Sequence, residues 1–226
     1  MYEYHIEGGY PVKGTVKASG NKNAALPCIA AAVLTDQPVT LKNLPEIEDV
    51  FVMFEIFKSF GGTVTKLAQN EYTLQLRTVT GHEVPVPLAQ KIRASILFAG
   101  PLLARNGRVI MPPPGGDVIG RRRLDTHFLA LTELGAQVKI NGHFLFTAKK
   151  LTGQDMFLDE ASVTATENAV MAAVTAEGET VITNAASEPH IQDLCKLLNT
   201  MGAHITGIGS NILTIQGVPR LHGSEY

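Results

Sequence analysis

The sequence predicts an α/β fold in which three βαβαββ units pack as one domain around buried helices. One signature recurs along the chain. An amphipathic run ends in an apolar residue, then Gly, a small residue and a β-branched strand: Phe60-Gly61-Gly62-Thr63-Val64, Leu134-Gly135-Ala136-Gln137-Val138 and Met201-Gly202-Ala203-His204-Ile205. These glycines fall roughly seventy residues apart, the period of a repeated supersecondary unit, and suit the left-handed cap of a helix. A second kind of helix, rich in small apolar residues, lies about forty residues before each glycine, and its all-round apolar surface marks it as buried.

The elements follow in order. The buried helices read as Asn23–Leu34, Arg93–Ala104 and Thr164–Ala176. The helices that end at the signature read as Val50–Phe60, Leu124–Leu134 and Ile191–Met201; each carries polar residues on one face and is expected nearer the solvent. Short β-branched runs fill the gaps. The first unit offers Gly14–Ala18, Val39–Leu41, Thr63–Lys66 and Tyr72–Leu76. In the second, a weak opening strand near 83–87 precedes Arg108–Met111, Gln137–Ile140 and Phe144–Thr147. The third offers Met156–Leu158, Thr180–Thr183, His204–Thr206 and Ile212–Ile215. No unit can enclose its buried helix alone, so residues 21–226 are expected to form one domain.

Composition excludes several classes of function. The chain has 226 residues, 45% hydrophobic and 18% charged, which is the balance of a packed globular protein. Nineteen Lys plus Arg against twenty-one Asp plus Glu leave a charge of −2, the wrong balance for a general nucleic-acid binder. The longest apolar runs, 24–34 and 95–104, fall short of the roughly 20 residues needed to span a bilayer, so no membrane partner is expected. Glu3, His5 and Glu7 interrupt the start, so no secretory signal is read there. Cys28 and Cys195 lie in apolar stretches, and a cytoplasmic location follows as the expectation.

Aligning the units stacks Lys22-Asn23 on Ile92-Arg93 and on Val163-Thr164. Pseudo-symmetry would bring these three helix N-termini to one end of the domain. Their free N–H groups and partial positive charge would make an anion site, to which Lys22 and Arg93 add formal charge. Taken singly, each cation is also accounted for as a solvated helix end.

The second unit inserts a loop, residues 112–123: Pro112-Pro113-Pro114-Gly115-Gly116-Asp117-Val118-Ile119-Gly120-Arg121-Arg122-Arg123. It sets one carboxylate, Asp117, among guanidinium groups whose forks match phosphates and carboxylates. A solvated proline–glycine surface loop with a basic run is the bland alternative. The histidines lack metal-ligand spacing, so no metal and no organic cofactor are expected; His127 is placed on a helix surface and Cys28 in the core.

Gly20-Asn21-Lys22-Asn23-Ala24-Ala25-Leu26-Pro27 together with Gly115-Gly116-Asp117-Val118-Ile119-Gly120 resembles the UDP-N-acetylglucosamine 1-carboxyvinyltransferases. Arg122 with Asp125, the stretch 161–166, Asn184-Ala185-Ala186 and Glu188-Pro189 extend the likeness over essentially the whole chain. The resemblance implies an enolpyruvyl transferase fold of two domains, each of three βαβαββ units, of which this chain is one, the N-terminal half. It implies transfer of the enolpyruvyl group from phosphoenolpyruvate to the 3-hydroxyl of UDP-N-acetylglucosamine, which opens peptidoglycan precursor synthesis.

By matching position, Lys22, Arg93 and Arg122 would hold the phosphate and carboxylate of phosphoenolpyruvate, and Asn23 would contact the sugar nucleotide. Arg122, Arg123, Leu124, Asp125 and Thr126, with Glu160, Ala161, Ser162, Val163 and Thr164, would line the nucleotide pocket. Asp117 stands where many members carry a cysteine and would be the general acid, which implies resistance to fosfomycin. The chain departs from the family pattern at Arg123, where many relatives have proline, and at Glu160, where many have lysine. The implied partner is a second domain of the same enzyme. Residues 1–20 would pack on it as a strand, and the isolated 226-residue chain would be inactive. The alternatives are a transferase acting on shikimate 3-phosphate and a non-catalytic sugar-nucleotide-binding module.

Overall fold

The three units close into three separate small sheets around a shared set of helices in the computed structural model, which describes residues 3–116 and 123–226. The first unit runs α1 (Lys22–Ala31), β1 (Val39–Leu41), α2 (Glu48–Ser59), β2 (Thr63–Ala68) and β3 (Glu71–Gln75). The second runs α3 (Val86–Ala89), a 3-10 segment Arg93–Phe98, α4 (Ala99–Asn106), β4 (Arg108–Met111), α5 (Asp125–Glu133), β5 (Gln137–Asn141) and β6 (His143–Thr147). The third runs β7 (Asp155–Phe157), α6 (Val163–Ala173), β8 (Glu179–Thr183), α7 (Pro189–Thr200), β9 (His204–Thr206) and β10 (Ile212–Gln216), and β11 (Ser224–Glu225) ends the chain.

The sheets share one wiring. Their strand orders are β11-β1-β3-β2, β4-β6-β5 and β7-β8-β10-β9. In each, the strand after the buried helix pairs antiparallel with the last strand of its unit, and that strand pairs antiparallel with the third. The signature glycines cap α2, α5 and α7 with left-handed backbone, φ 92° at Gly61, 98° at Gly135 and 96° at Gly202. A side chain would resist that conformation, which explains why glycine recurs there.

The opening strands are where the repeat is uneven. Gly14–Ala18 forms no strand, and residues 3–20 as a whole form none: nearly all of this segment is exposed, and an extended segment needs a neighbouring strand to satisfy its backbone. The position parallel to β1 is instead filled by β11, with Ser224 opposite Val39 and Glu225 opposite Thr40. In the second unit the expected strand shrinks to one parallel bridge, Glu83 to Ile110. Pro85 and Pro87 flank the start of α3 there, and neither can donate to a sheet ladder. The third unit keeps its opening strand whole as β7.

The buried helices occupy the centre. Ile29, Ala30, Ala31, Ile96, Phe98, Ala99, Val170, Met171 and Ala172 are fully buried. Each inner helix packs against the outer helix of the preceding unit, the 3-10 segment on α2, α6 on α5, and α1 on α7, so the pseudo-threefold ring closes. The second inner helix is the irregular one. It begins as 3-10 and becomes α-helical only at Ala99, and Gly100 lies against α6, donating its N–H to Asn168 Oδ1 at 2.7 Å. Among the described residues no helix is long and apolar enough to cross a membrane.

A Cβ at position 100 would lie 2.5 Å from the Asn168 carbonyl oxygen, in backbone that cannot move without shifting α6. Gly100→Ala is therefore expected to lower unfolding free energy by about 2 kcal/mol, in the usual range for overpacking a close helix crossing, as read from urea denaturation midpoints.

Candidate functional site

Both ends of the inner helices are collected by the fold. Lys22 and Asn23 at the start of α1, Ile92, Arg93 and Ala94 at the start of the 3-10 segment, and Val163 and Thr164 at the start of α6 line one cavity of about 230 Å³. Leu34, Thr35, Ala104, Arg105 and Thr175, from the other ends of the same helices, line a separate cavity. The three helices are thus parallel, with N-termini together at one pole and C-termini at the other.

At the N-terminal pole the caps set the geometry. Asn21 Oδ1 accepts from the N–H groups of Asn23 at 2.7 Å and Ala24 at 3.3 Å, which fixes the turn that presents Lys22. Pro27 sits inside α1 and has no N–H, so the Asn23 carbonyl loses its helical donor at the cavity edge. Ser162 Oγ caps α6 by accepting from Ala165 N–H at 3.4 Å.

The charged groups are held by neighbours from other elements. Lys22 Nζ donates to Asp49 Oδ2 at 2.7 Å, so a ligand anion would compete with the first-turn acid of α2. Arg93 donates through Nη2 to the carbonyl of Arg123 at 2.8 Å. The Arg123 side chain ion-pairs with Asp125 and, at 2.8 Å, with Asp159, which also accepts from Thr126 Oγ1 at 2.8 Å. A network beside the cavity thereby joins the start of α5 to the turn before α6.

Sequence-predicted residues divide accordingly. Lys22, Asn23, Arg93, Val163 and Thr164 share the cavity wall. Arg123, Asp125 and Thr126 belong to the adjoining network, with Leu124 half-buried between them and Ser162 as the cap of α6. Glu160 and Ala161 are exposed in the turn before α6 and lie outside the cavity wall. Asp117 and Arg122 lie outside the described residues. The residues that bracket 117–122 both meet Arg93: Gly116, with φ 91°, lies against its backbone, and Arg123 receives its guanidinium. Gly115 anchors the loop by donating to the Ala89 carbonyl at 2.9 Å, and a Cβ there would fall 1.8 Å from the Gln90 oxygen.

His127 departs from its expected surface position. It is 1% exposed, with Nε2 3.0 Å from Thr164 Oγ1 and Nδ1 3.0 Å from Asn168 Nδ2. Asn168 Nδ2 also donates to the Ile96 carbonyl at 3.0 Å, so one amide ties the second and third units together behind the cavity. Burial, with the positive charge of Arg93, pulls the imidazole pKa down to about 3. Sequence reasoning placed His127 at a helix surface and passed over Asp49 and Glu167. The available signal for Glu167 was a lone carboxylate inside an otherwise apolar helix. Among the described residues no group of three or more His, Cys, Asp or Glu is placed to hold a metal ion.

The fold is that of the enolpyruvyl transferases. The fold is shared with the enolpyruvyl transferase NikO from Streptomyces tendae at a TM-score of 0.83 and 22% identity, over 97% of this chain and 52% of that one. The sequence model of the EPSP synthase (3-phosphoshikimate 1-carboxyvinyltransferase) family matches residues 6–226, and the chain belongs to this family. Within it, the chain is 67% identical over 226 residues to a UDP-N-acetylglucosamine 1-carboxyvinyltransferase of Treponema denticola, and 67% identical over 223 residues to one of Treponema pallidum. It spans about half the length of these relatives, 53% and 52% respectively.

The His127 environment carries a pH prediction. The imidazole is neutral in the fold down to about pH 3 but takes a proton in the unfolded chain below about pH 6.5. Its contribution to stability is therefore complete above that upper value and is lost as pH falls through the window. Unfolding free energy measured against pH should fall less steeply between these limits in His127→Gln than in the parent.

Proposed function

We propose that the protein carrying this chain transfers the enolpyruvyl group of phosphoenolpyruvate to the 3-hydroxyl of UDP-N-acetylglucosamine, and that this chain supplies the anion-holding side of the cleft. The observation that carries the reading is the placing of Lys22 and Arg93 where three inner-helix N-termini line a single cavity. The names and identity of the Treponema relatives support the choice of acceptor.

The chemistry follows from charge. Lys22 and Arg93 neutralise the phosphate and carboxylate of phosphoenolpyruvate, and backbone N–H groups at the helix ends add oriented donors. Asp117 protonates the methylene carbon as the sugar hydroxyl oxygen bonds to the adjacent carbon and gives up its proton to a base, a carboxylate expected in the second domain, giving a tetrahedral adduct. Loss of phosphate, with a proton leaving the new methyl group, restores the double bond as the enolpyruvyl ether. The same cations that hold the phosphate in the ground state stabilise its departure. Asp117 can act only when protonated, and a bound phosphate with water excluded would raise its proton affinity. Residues 1–20 and the second domain would close the site from the other side. The reaction places the protein at the start of peptidoglycan precursor synthesis, in the cytoplasm.

Two measurements in the full-length protein test this. Lys22→Ala or Arg93→Ala should each weaken phosphoenolpyruvate binding about thirtyfold, the loss of one charge-assisted contact of about 2 kcal/mol. A titration in which UDP-N-acetylglucosamine fails to bind, while shikimate 3-phosphate binds, would overturn the acceptor; binding without phosphate release would make the protein a non-catalytic module.

Asp117 is tested separately. Asp117→Asn should abolish turnover. A carboxylate is a poorer nucleophile than a thiolate toward an epoxide. The parent should therefore resist fosfomycin, while Asp117→Cys should gain its covalent mass by intact-protein mass spectrometry. An adduct on the parent would refute the argument from nucleophilicity.

A further inference from the structure

Besides Asp49 and Lys91, the cavity wall contains a buried group that the proposed chemistry leaves unused. Glu167 stands one helical turn beyond Val163 and Thr164 on α6 and lines the cavity with them, with Lys22 and with Arg93. The residue is 1% exposed, yet among the described residues no hydrogen bond or ion pair reaches its carboxyl. Thr180 Oγ1 is the sealed side-chain atom without a partner among those residues, so the oxygens of Glu167 keep contact with the cavity. Burying a carboxyl with no partner is costly, and such a group persists where something outside the protein completes its bonding.

The surroundings decide its charge state. Lys22 and Cys28 face it from α1, Asp49 from α2 and Arg93 from the 3-10 segment; His127 on α5 is held neutral. Glu188 heads α7, which also carries Asp193 and Cys195. Burial, reinforced by Glu188, holds the Glu167 carboxyl well above the usual range. The neutral acid has an O–H to give, whereas the ionised form would repel any anion held by Lys22 and Arg93.

We propose that Glu167 is a ligand-binding residue of this cavity, donating its carboxylic O–H to an anionic oxygen of a bound phosphate-bearing acid. The assignment rests on the function proposed above for the identity of that acid. It gives the cleft a donor that adds no charge, so the site recognises oxygen position as well as total charge.

The test compares the full-length protein with Glu167→Gln, which keeps a donor but cannot ionise. Dissociation constants for inorganic phosphate and for phosphoenolpyruvate are measured by calorimetry from about pH 6 to about pH 9, and infrared difference spectra record the protonated-carboxyl band. The two proteins should bind phosphate alike at the acid end. The parent should then weaken relative to the variant by up to about tenfold per pH unit once Glu167 ionises. Adding phosphate should shift a protonated-carboxyl band in the parent that is missing from Glu167→Gln. Parallel binding curves together with a band that ignores phosphate would overturn the assignment. Phosphate bound with the expected profile, but phosphoenolpyruvate not bound, would overturn the proposed function and leave Glu167 in place. No binding of either anion would overturn both.

Discussion

Three parallel inner helices are the constraint on which the domain depends. Parallel helices bring like poles together, so the fold must satisfy clustered N–H groups at one end and clustered carbonyls at the other. The carbonyl pole is settled within the protein. Arg105 donates to the Val33 and Thr35 carbonyls, each at 2.7 Å, and to the Arg77 carbonyl at 2.9 Å, closing the far ends of the first two units. The N–H pole is left open as a cavity, with Lys22 and Arg93 adding to its positive character. A packing arrangement that a soluble domain would otherwise avoid thus becomes a place to hold anions.

The departures from symmetry lie where the site needs them. The second inner helix starts as a 3-10 segment, and its tighter turn leaves Arg93 beside Gly116 and Arg123 of the inserted loop. Asn168 and His127 make the compensating contacts behind it, joining α4, α5 and α6 through buried polar groups whose bonds are all internal. A buried network of this kind is strong only when complete. Glu167, a buried carboxyl outside such networks among the described residues, borders the cavity.

Much of the fold and part of the site were legible in the residues. Lys22 and Arg93 stood out because each opens a helix too apolar to explain a cation, and repeat alignment put them at equivalent positions. Asp49 did not stand out, because an acid in the first turn of α2 is accounted for by the helix dipole until Lys22 is seen beside it. His127 was misplaced for a related reason: its helix is amphipathic, and the partners that permit burial, Thr164 and Asn168, come from another unit. Arg123 entered the expected nucleotide contacts only through the family resemblance, and its pairing with Asp125 and Asp159 needs the turn before α6 to be brought beside α5.

By itself, the sequence determined the local periods: which runs are helices buried on all sides, which are half-exposed, where glycine must cap, and that the pattern occurs three times. Those follow from side-chain size, apolar spacing and backbone freedom within a few residues. Tertiary structure alone decided which chain segment completes each sheet. The pattern makes Gly14–Ala18 the opening strand of the first unit, whereas Ser224–Glu225 holds the place parallel to β1. An edge strand is chosen by whichever backbone can reach the open ladder, and reach across nearly two hundred residues is a property of the folded chain. The same holds for the cavity, whose charge comes from residues adjacent only once the ring of helices has closed.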